Sequence, residues 1–306
     1  MQLGRVNFST ASCSTLWSAA VLGIALNSCT PPTSSVAVEP SARSTQVNGA
    51  IAQVSPSPSS TLSAAIWSAG FADTNWIERW SVRKKGEWGL EENAQAIADP
   101  SGRFSKVLRV RYPAGSASPR VSRKQKEPLG GAQFYADLGM PPKDSLRLSY
   151  YVRFSEDFDF VKGGKLPGLF GGEGNSGGKI PDGTDGFSTR FMWRRNGDGE
   201  VYAYLPTSSE DGSSIGRGTW RFQPGTWHHL EQEVVLNQPD KQDGRIQVWV
   251  DGVQVLDQRG LAFRTTDDLK IEGIFFSTFF GGGSASWATP KDVYADFADF
   301  SVSAVN

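Results

Sequence analysis

The sequence predicts an all-β protein in which two sheets pack as a β-sandwich or jelly roll. Residues 146–154 alternate apolar and polar side chains with a period of two, which is typical of a strand with one face in a core. The dipeptide Asp251-Gly252 separates two short apolar runs and is a strong signal for a β-hairpin. No stretch of ten or more residues carries a clear helical stripe of apolar side chains. These observations favour a single domain of short strands and glycine-rich loops over residues 64–306.

Further segments have the same strand character: 107–112, 229–236, 246–250, 271–280 and 293–302. The composition agrees with a folded domain, since 38% of the 306 residues are hydrophobic and the chain holds 34 glycines and 18 phenylalanines. A wholly disordered chain is therefore excluded. The formal net charge of -1 offers no overall positive field, so nucleic acid is not an expected partner.

The N-terminal residues predict export. The apolar stretch 16–26 is too short for a stable membrane span but has the length of a signal-peptide core. It ends at Leu26-Asn27-Ser28-Cys29, which resembles the lipobox of bacterial lipoproteins, whose cysteine is acylated after cleavage. We expect residues 1–29 to be a signal peptide with Cys29 as the lipidated first mature residue. Plain secretion and a buried N-terminal helix are the alternatives.

Residues 30–63 are rich in proline, serine and threonine and contain no aromatic residue. Such a segment buries too little apolar surface to offset the entropy of ordering it, so it predicts a linker. The only cysteines are Cys13 and Cys29, so the domain at 64–306 can hold no disulfide. We expect a monomer that meets the membrane only through the lipid anchor.

The segment 162–206 carries the polar residues that favour a chemical function. Residues 187–193 and 201–205 read as a hairpin around Asn196-Gly197-Asp198-Gly199. A register centred on Gly197 pairs Arg190 with Tyr204 and Met192 with Tyr202. An odd register of this kind gathers the apolar residues on one face and brings Ser188, Arg190, Tyr202 and Tyr204 together on the other.

The residue types in this cluster suit β-elimination from a uronic acid polymer. Cations neutralise the substrate carboxylate and stabilise the enolate-like charge that develops. A tyrosine in a positive field can take the C5 proton and donate a proton to the leaving oxygen. A sandwich glycosidase would need a pair of carboxylates that the strands do not show. His228 and His229 point to opposite faces of a strand, so neither a metal site nor a Ser-His-Asp triad is expected, and no cofactor is implied.

This stretch resembles polysaccharide lyase family 14, jelly-roll lyases that act on alginate and glucuronan. The resemblance is close over 162–206 and looser over 66–306. The family's Lys-Leu-Pro-Gly motif falls on Lys165, its Ser-x-Arg motif on Ser188 and Arg190, and its Tyr-x-Tyr motif on Tyr202 and Tyr204.

The resemblance implies a role for each of these residues. The two tyrosines would exchange the protons, and Arg190 would bind the uronate carboxylate. Lys165 would stabilise the enolate or assist the base, and Ser188 would hydrogen-bond the substrate or a tyrosine. Several members have cysteines where this chain has Asn175 and Gly186, which predicts a more mobile loop over the cleft.

Eight basic residues and no acidic residue lie between Arg103 and Lys126. They predict a cationic trough for a polyanion, with Arg123 and Lys124 binding substrate and with Arg147 and Arg153 extending it. A solvated basic face is the alternative interpretation.

The alternative function is a non-catalytic, lectin-like carbohydrate-binding module. The phrase GTWHHLEQEV followed by GRIQVWVDGVQVL is common in concanavalin-like sandwiches, and Trp220, Trp227 and Trp287 could form a sugar platform. A glycoside hydrolase on the same fold is the least favoured interpretation, because the carboxylate pair is missing.

Overall fold

The computed structural model describes residues 64–209 and 211–305. The predicted signal peptide 1–29, with Cys29, and the predicted linker 30–63 lie outside the described residues, so those assignments stay predictions. Within the described part of the chain, no helix is long and apolar enough to cross a membrane.

Strands account for most of the regular structure. They are β1 (Ala65–Ala69), β2 (Ala94–Ala98), β3 (Lys106–Tyr112), β4 (Ala132–Asp137), β5 (Ser145–Phe154), β6 (Gly163–Gly172), β7 (Gly186–Arg194), β8 (Gly199–Tyr204), β9 (Ser213–Ile215), β10 (Trp227–Val235), β11 (Gly244–Val250), β12 (Val253–Leu261), β13 (Gly273–Phe280) and β14 (Val293–Ala304). Three short helices, α1 (Trp76–Arg79), α2 (Leu90–Asn93) and α3 (Pro119–Gln125), lie in the connections.

The strands form two antiparallel sheets, which confirms the predicted β-sandwich. The eight-stranded sheet has the order β12-β11-β10-β5-β14-β3-β2, with β1 also paired to β14. The six-stranded sheet has the order β4-β13-β6-β7-β8-β9. Some neighbouring strands, such as β5 and β14 or β4 and β13, come from distant parts of the sequence, so residues far apart in the chain share one surface.

Alternation along the strands decides which side chains enter the core between the sheets. On β5 the apolar set from Leu146 to Phe154 is buried, as the period of two predicts. On β7 Phe187, Phe191 and Trp193 are buried in the same core. Each such side chain contributes roughly 1.5–3 kcal/mol when it leaves water. The intervening residues of β7 must therefore point away from the core, onto the outer face of the six-stranded sheet.

The β7–β8 hairpin has the predicted faces but not the predicted pairs. Ser188 lies opposite Tyr204, and Arg190 lies opposite Tyr202, so the register is shifted by two residues from the predicted one. The turn is a short 3₁₀ segment centred on Asn196, which adopts a left-handed conformation with φ 60°. A shift of two preserves the side-chain alternation, and the polar cluster therefore stays on one face.

Candidate active site

A cleft of about 630 Å³ lies on the outer face of the six-stranded sheet. Its floor is formed by side chains of five strands of that sheet: Lys165 from β6, Arg190, Met192 and Arg194 from β7, Tyr202 and Tyr204 from β8, Gln133 from β4 and Phe279 from β13. Its walls are formed by connecting segments: Ser118 to Arg120, Ser176 to Gly178, Asp211, Gly281 to Gly283 and Trp287. The fold therefore brings four of the five motif residues to the surface of one cleft.

Two glycines beside Lys165 let β6 approach its neighbours closely. A Cβ atom on Gly164 would lie 2.0 Å from the Trp193 ring, and one on Gly168 would lie 2.1 Å from the Thr189 carbonyl oxygen. Both distances are far below van der Waals contact, so any other residue would push the strands apart. The close pairing places Lys165 directly opposite Met192.

Arg190 is a buried cation that has no counter-ion in the described part of the chain. Its side chain is 2% exposed, and among the described residues it forms no ion pair with a carboxylate. Its Nη1 donates a hydrogen bond to the Ser277 hydroxyl at 3.1 Å, while its buried Nε has no partner. Burial lowers the pKa of Arg190 to about 10, which still leaves the guanidinium charged at neutral pH. A buried charge is costly unless it is paired, so this position is suited to an anion that enters through the cleft.

Lys165 is the second cation of the floor and also lacks a carboxylate partner among the described residues. Its Nζ lies 3.4 Å from the centroid of the Tyr202 ring and contacts the thioether of Met192, a weak acceptor. Burial lowers the pKa of Lys165 well below its ordinary value, and the nearby Arg190 and Arg194 charges lower it further. The amine is therefore much closer to its neutral form than a surface lysine.

The two tyrosines differ in their surroundings. Burial raises the pKa of the half-buried Tyr202 to about 12, so its phenol keeps its proton at neutral pH. Tyr204 is almost fully buried, and its oxygen accepts a hydrogen bond from the backbone N–H of Gly178 at 3.1 Å. Their ring centroids are 5.7 Å apart. Tyr202 thus faces the cleft as a proton donor, whereas Tyr204 also holds the loop above it.

Ser188 does not line the cleft, and its hydroxyl bonds a backbone carbonyl rather than the tyrosine expected from the sequence. Its side chain is fully buried, and its hydroxyl donates to the Asn175 carbonyl oxygen at 2.7 Å. Asn175 in turn donates from its side-chain amide to Asp185 at 3.0 Å. A Cβ atom on Gly186 would lie 2.6 Å from the Asn175 side-chain oxygen, so these two positions are in contact without a disulfide. Ser188 is therefore a positioning residue for the glycine-rich loop.

Comparison with known proteins identifies the family. The polysaccharide lyase 14 family profile matches residues 101–300. The chain belongs to polysaccharide lyase family 14. It is a polysaccharide lyase with the β-sandwich fold of that family. No curated protein matches the sequence.

Solved structures agree with this assignment. The alginate lyase of this family from Aplysia kurodai is 34% identical, with a TM-score of 0.67 over 78% of this chain and 98% of that chain. Alginate lyase vAL-1 from a Chlorella virus is 23% identical, with a TM-score of 0.63 over 79% and 100% of the two chains. A variant of alginate lyase Aly36B in complex with alginate tetrasaccharide is 22% identical, with a TM-score of 0.63 over 80% and 96%. The last two matches support the fold of this chain and nothing beyond it.

The predicted cationic trough is not assembled in this lyase. Arg147 lies on β5, where it binds Glu233 at 2.8 Å and packs over Trp249. Arg153 lies on the same polar face of β5, and its Nε donates to the Gly225 carbonyl. Because the opposite face of β5 is in the core, both arginines point away from the six-stranded sheet and its cleft. Their expected part in substrate binding does not fit this placement.

The basic helix α3 contributes a single cation to the cleft, and it is neither of the two expected. Arg123 and Lys124 are exposed and do not line the cleft, whereas Arg120, one turn earlier, does. The predicted substrate-binding role of Arg123 and Lys124 therefore has no support in their position.

Three residues in or beside the cleft of the lyase were not predicted from the sequence to lie there. Glu200 is fully buried and binds Arg194 and Arg217, each at 2.6 Å, so it neutralises one arginine of the floor. Asp211 and Trp287 reach the cleft from connecting segments. The alternation of β8 could have placed Glu200 beside Tyr202 and Tyr204, but no local pattern marks the other two.

Metal chemistry has no visible ligand set in the described part of the lyase. No group of three histidine, cysteine, aspartate or glutamate side chains is arranged to hold an ion there. His228 binds Asp251 at 2.9 Å through Nδ1 and accepts the backbone N–H of Gln223 through Nε2, which is a structural arrangement.

Replacing Ser188 with alanine is expected to weaken substrate binding more than turnover. The loss of its bond to Asn175 releases the loop that carries Gly178, and a hydrogen bond of about 1 kcal/mol corresponds to about a fivefold rise in KM. We expect kcat to change less than about twofold, because the floor residues keep their positions. Steady-state kinetics with a uronic acid polymer as substrate measure both constants.

The matched control is Ser149→Ala. That serine bonds His229 on the eight-stranded sheet at 2.7 Å, so its loss tests a similar hydrogen bond far from the cleft. An equal fall in kcat for Ser188→Ala, or an unchanged KM, would contradict a positioning role.

Proposed function

We propose that this lyase cleaves alginate or glucuronan by β-elimination in the cleft on the six-stranded sheet. The observation that carries the proposal is the buried guanidinium of Arg190, which opens onto the cleft without a carboxylate partner in the described residues. A repeating uronate offers the carboxylate that this charge lacks. The 34% identical relative from Aplysia kurodai is an alginate lyase, and the Aly36B structure holds alginate tetrasaccharide, which supports the same substrate class here.

Arg190 would bind the carboxylate of the sugar that loses its C5 proton. Pairing neutralises the carboxylate and makes the C5–H more acidic, since removal of that proton spreads negative charge onto the carboxylate oxygens. A preorganised cation in a site shielded from water stabilises such charge strongly. Glu200 already neutralises Arg194, so Arg190 is the stronger attractor on the floor.

Lys165 and Tyr202 would exchange the two protons. The neutral amine of Lys165 takes the C5 proton, the C4–O4 bond breaks as the C4–C5 double bond forms, and the leaving O4 receives the phenolic proton of Tyr202. The lowered pKa of Lys165 and the raised pKa of Tyr202 suit these directions. The Nζ of Lys165 lies on the Tyr202 ring, so the proton can return from the ammonium to the phenolate after each turnover.

This assignment differs from the sequence-based expectation that tyrosines serve as both acid and base. A phenol with a pKa near 12 is a poor base at neutral pH, which argues against Tyr202 in that role. The Tyr204 oxygen already accepts a bond from Gly178, which suits a residue that orients the loop and the substrate.

The proposed acid and base approach the substrate from the same side, and this favours particular sugars. Lys165 and Tyr202 both rise from the sheet floor, so both reach the substrate from one side. In mannuronate and glucuronate residues, H5 and O4 lie on the same face of the ring, whereas in guluronate they lie on opposite faces. A syn-elimination from one side therefore fits mannuronate and glucuronate.

The test offers polymannuronate, polyguluronate and glucuronan separately to the full chain and follows the ultraviolet absorbance of the unsaturated uronate product. We expect polymannuronate or glucuronan to be cleaved at least about tenfold faster than polyguluronate, since specificity is a difference in transition-state stabilisation. A Tyr202→Phe variant is expected to lose about 100-fold in rate, as removal of a general acid does.

Faster cleavage of polyguluronate would contradict the syn geometry. An absence of product on every polymer, together with retarded migration in a gel that contains one of them, would favour the lectin-like alternative.

A further inference from the structure

A second cavity of about 620 Å³ lies beside the active-site cleft. It is formed by the connection from β5 to β6, the turn after β7 and one residue near Trp287. Its polar and charged lining residues are Asp159, Lys162, Arg195, Asn196 and Ser286.

Two lining residues of this cavity are direct chain neighbours of residues that line the cleft. Arg194 lines the cleft and Arg195 lines the second cavity, and the same step of one residue separates Trp287 from Ser286. Cβ atoms on Gly163 and Gly282 would approach the Trp287 ring to 3.2 and 2.2 Å, so this ring packs against Gly282 of the cleft and against Gly163, which follows Lys162 of the second cavity. A polymer that left the cleft past Arg194 and Trp287 would therefore come next to this cavity.

The cavity carries two cations that have no carboxylate partner among the described residues. Lys162 donates to the Ser286 hydroxyl at 2.6 Å, and Arg195 is exposed. The one acidic side chain of the lining, Asp159, accepts the backbone N–H of Val161 at 2.8 Å. The balance of charge is therefore positive, and it is held by side chains that can still accept an anion.

The backbone around this cavity is held in unusual conformations. Val161 has φ 49° and Asn196 has φ 60°, both in the left-handed region. A β-branched residue such as valine rarely adopts this conformation, and strain of this kind is concentrated at functional sites. Both residues line the cavity, and each is the chain neighbour of one of its two cations, Lys162 and Arg195.

We propose that this cavity is a distal subsite that binds a uronate carboxylate of the same polymer chain. The inference rests on the proposed function of the cleft. Arg190 and Arg194 are four residues apart on one strand, which spans about 13 Å. Because that exceeds the distance between the first and third carboxylates of a trisaccharide, Lys162 and Arg195 would reach a sugar that only longer oligomers supply.

The test measures the binding of two mannuronate oligomers, a trisaccharide and an octasaccharide, to the Tyr202→Phe protein by calorimetry. Adding Lys162→Gln and Arg195→Gln is expected to weaken octasaccharide binding about tenfold, as the loss of a charge-assisted contact does, and to change trisaccharide binding less than about twofold. The matched control adds Arg123→Gln and Lys124→Gln, which removes two cations that line neither space. It is expected to leave both affinities unchanged.

Equal weakening for both oligomers would overturn the distal subsite, as would unchanged binding of the octasaccharide. The wild-type protein could form no unsaturated product while Lys162→Gln and Arg195→Gln still weaken the binding of the octasaccharide alone. In that case the proposed reaction in the cleft is wrong and the distal subsite stands. If neither oligomer binds to any variant, both proposals are overturned.

Discussion

A Lys165→Met variant is expected to lose about 10³-fold in kcat/KM, within the range for removal of a general base, and to melt at a higher temperature than the wild type. The activity falls because methionine cannot accept the C5 proton. The stability rises because the lysine is a desolvated cation near Arg190 and Arg194, with no carboxylate partner in the described residues. A gain of 1 kcal/mol raises the melting temperature of a domain of this size by about 2–4 °C. Kinetics on the polymer and thermal melts measure the two effects.

The stability gain is expected to depend on pH in a defined direction. The pKa of Lys165 is lowered on folding, so between that lowered pKa and the ordinary 10.5 the unfolded chain binds more protons than the folded one. Stability rises with pH wherever the unfolded state binds more protons. The free energy of unfolding of the variant should therefore exceed that of the wild type by its full amount below the lowered pKa. This difference should shrink as the pH rises towards 10.5.

The wild-type rate is expected to rise with pH through the lowered pKa of Lys165, because only the neutral amine accepts the proton. If Lys165→Met is less stable than the wild type at every pH, Lys165 is not a desolvated ammonium. A gain in stability that stays the same at every pH would contradict that assignment too, because it would mean that the replaced side chain was neutral throughout.

An Arg190→Ala variant is expected to lose about 10³-fold in kcat/KM and to keep its fold. Removal of one preorganised group that stabilises developing charge costs about 10²–10³-fold, and the same arginine also binds the ground-state carboxylate. The fold is expected to survive because the guanidinium makes one side-chain hydrogen bond, to Ser277, and its Nε has no partner. Thermal melts and kinetics on the polymer check both parts.

Two further measurements separate catalysis from packing at Arg190. Added guanidinium ion, below denaturing concentrations, is expected to restore part of the rate of the alanine variant. Arg190→Lys is expected to recover at most about tenfold, because an ammonium cannot reproduce the planar fork that binds a carboxylate. The matched control is Arg123→Ala, which removes an exposed arginine outside the cleft. A large loss of thermal stability in Arg190→Ala without rescue would contradict the assigned role.

The β7–β8 hairpin shows what the local sequence pattern can and cannot predict. Alternation of apolar and polar residues on β7 and β8 predicted that Arg190, Tyr202 and Tyr204 share a face, and the structure confirms it. The pairing was wrong by two residues because it depends on the turn, which closes around Asn196 rather than Gly197. Side-chain alternation has a period of two, so an error of two residues leaves the faces unchanged.

The cationic trough shows where charge patterns in the sequence mislead. Arg147 and Arg153 are close in sequence to the motif residues, yet β5 belongs to the other sheet and its polar face points away from the cleft. The order of strands in a sheet is set by long-range pairing, which the local sequence does not encode. Arg120 reaches the cleft instead, because α3 lies beside its wall.

The amino-acid sequence was sufficient for the all-β class, the faces of the strands and the motif residues that mark the family. Periodicity and short motifs are local, so they can be read without knowledge of the fold. The ionisation of the site could not be read in this way. Within the described residues Arg190 has no counter-ion, Lys165 has a lowered pKa and Ser188 holds a loop, and each of these properties depends on what surrounds the side chain. Ser277, Asn175 and Glu200 come from strands and loops that are brought together only when the two sheets pack, since burial and charge pairing depend on neighbours in space.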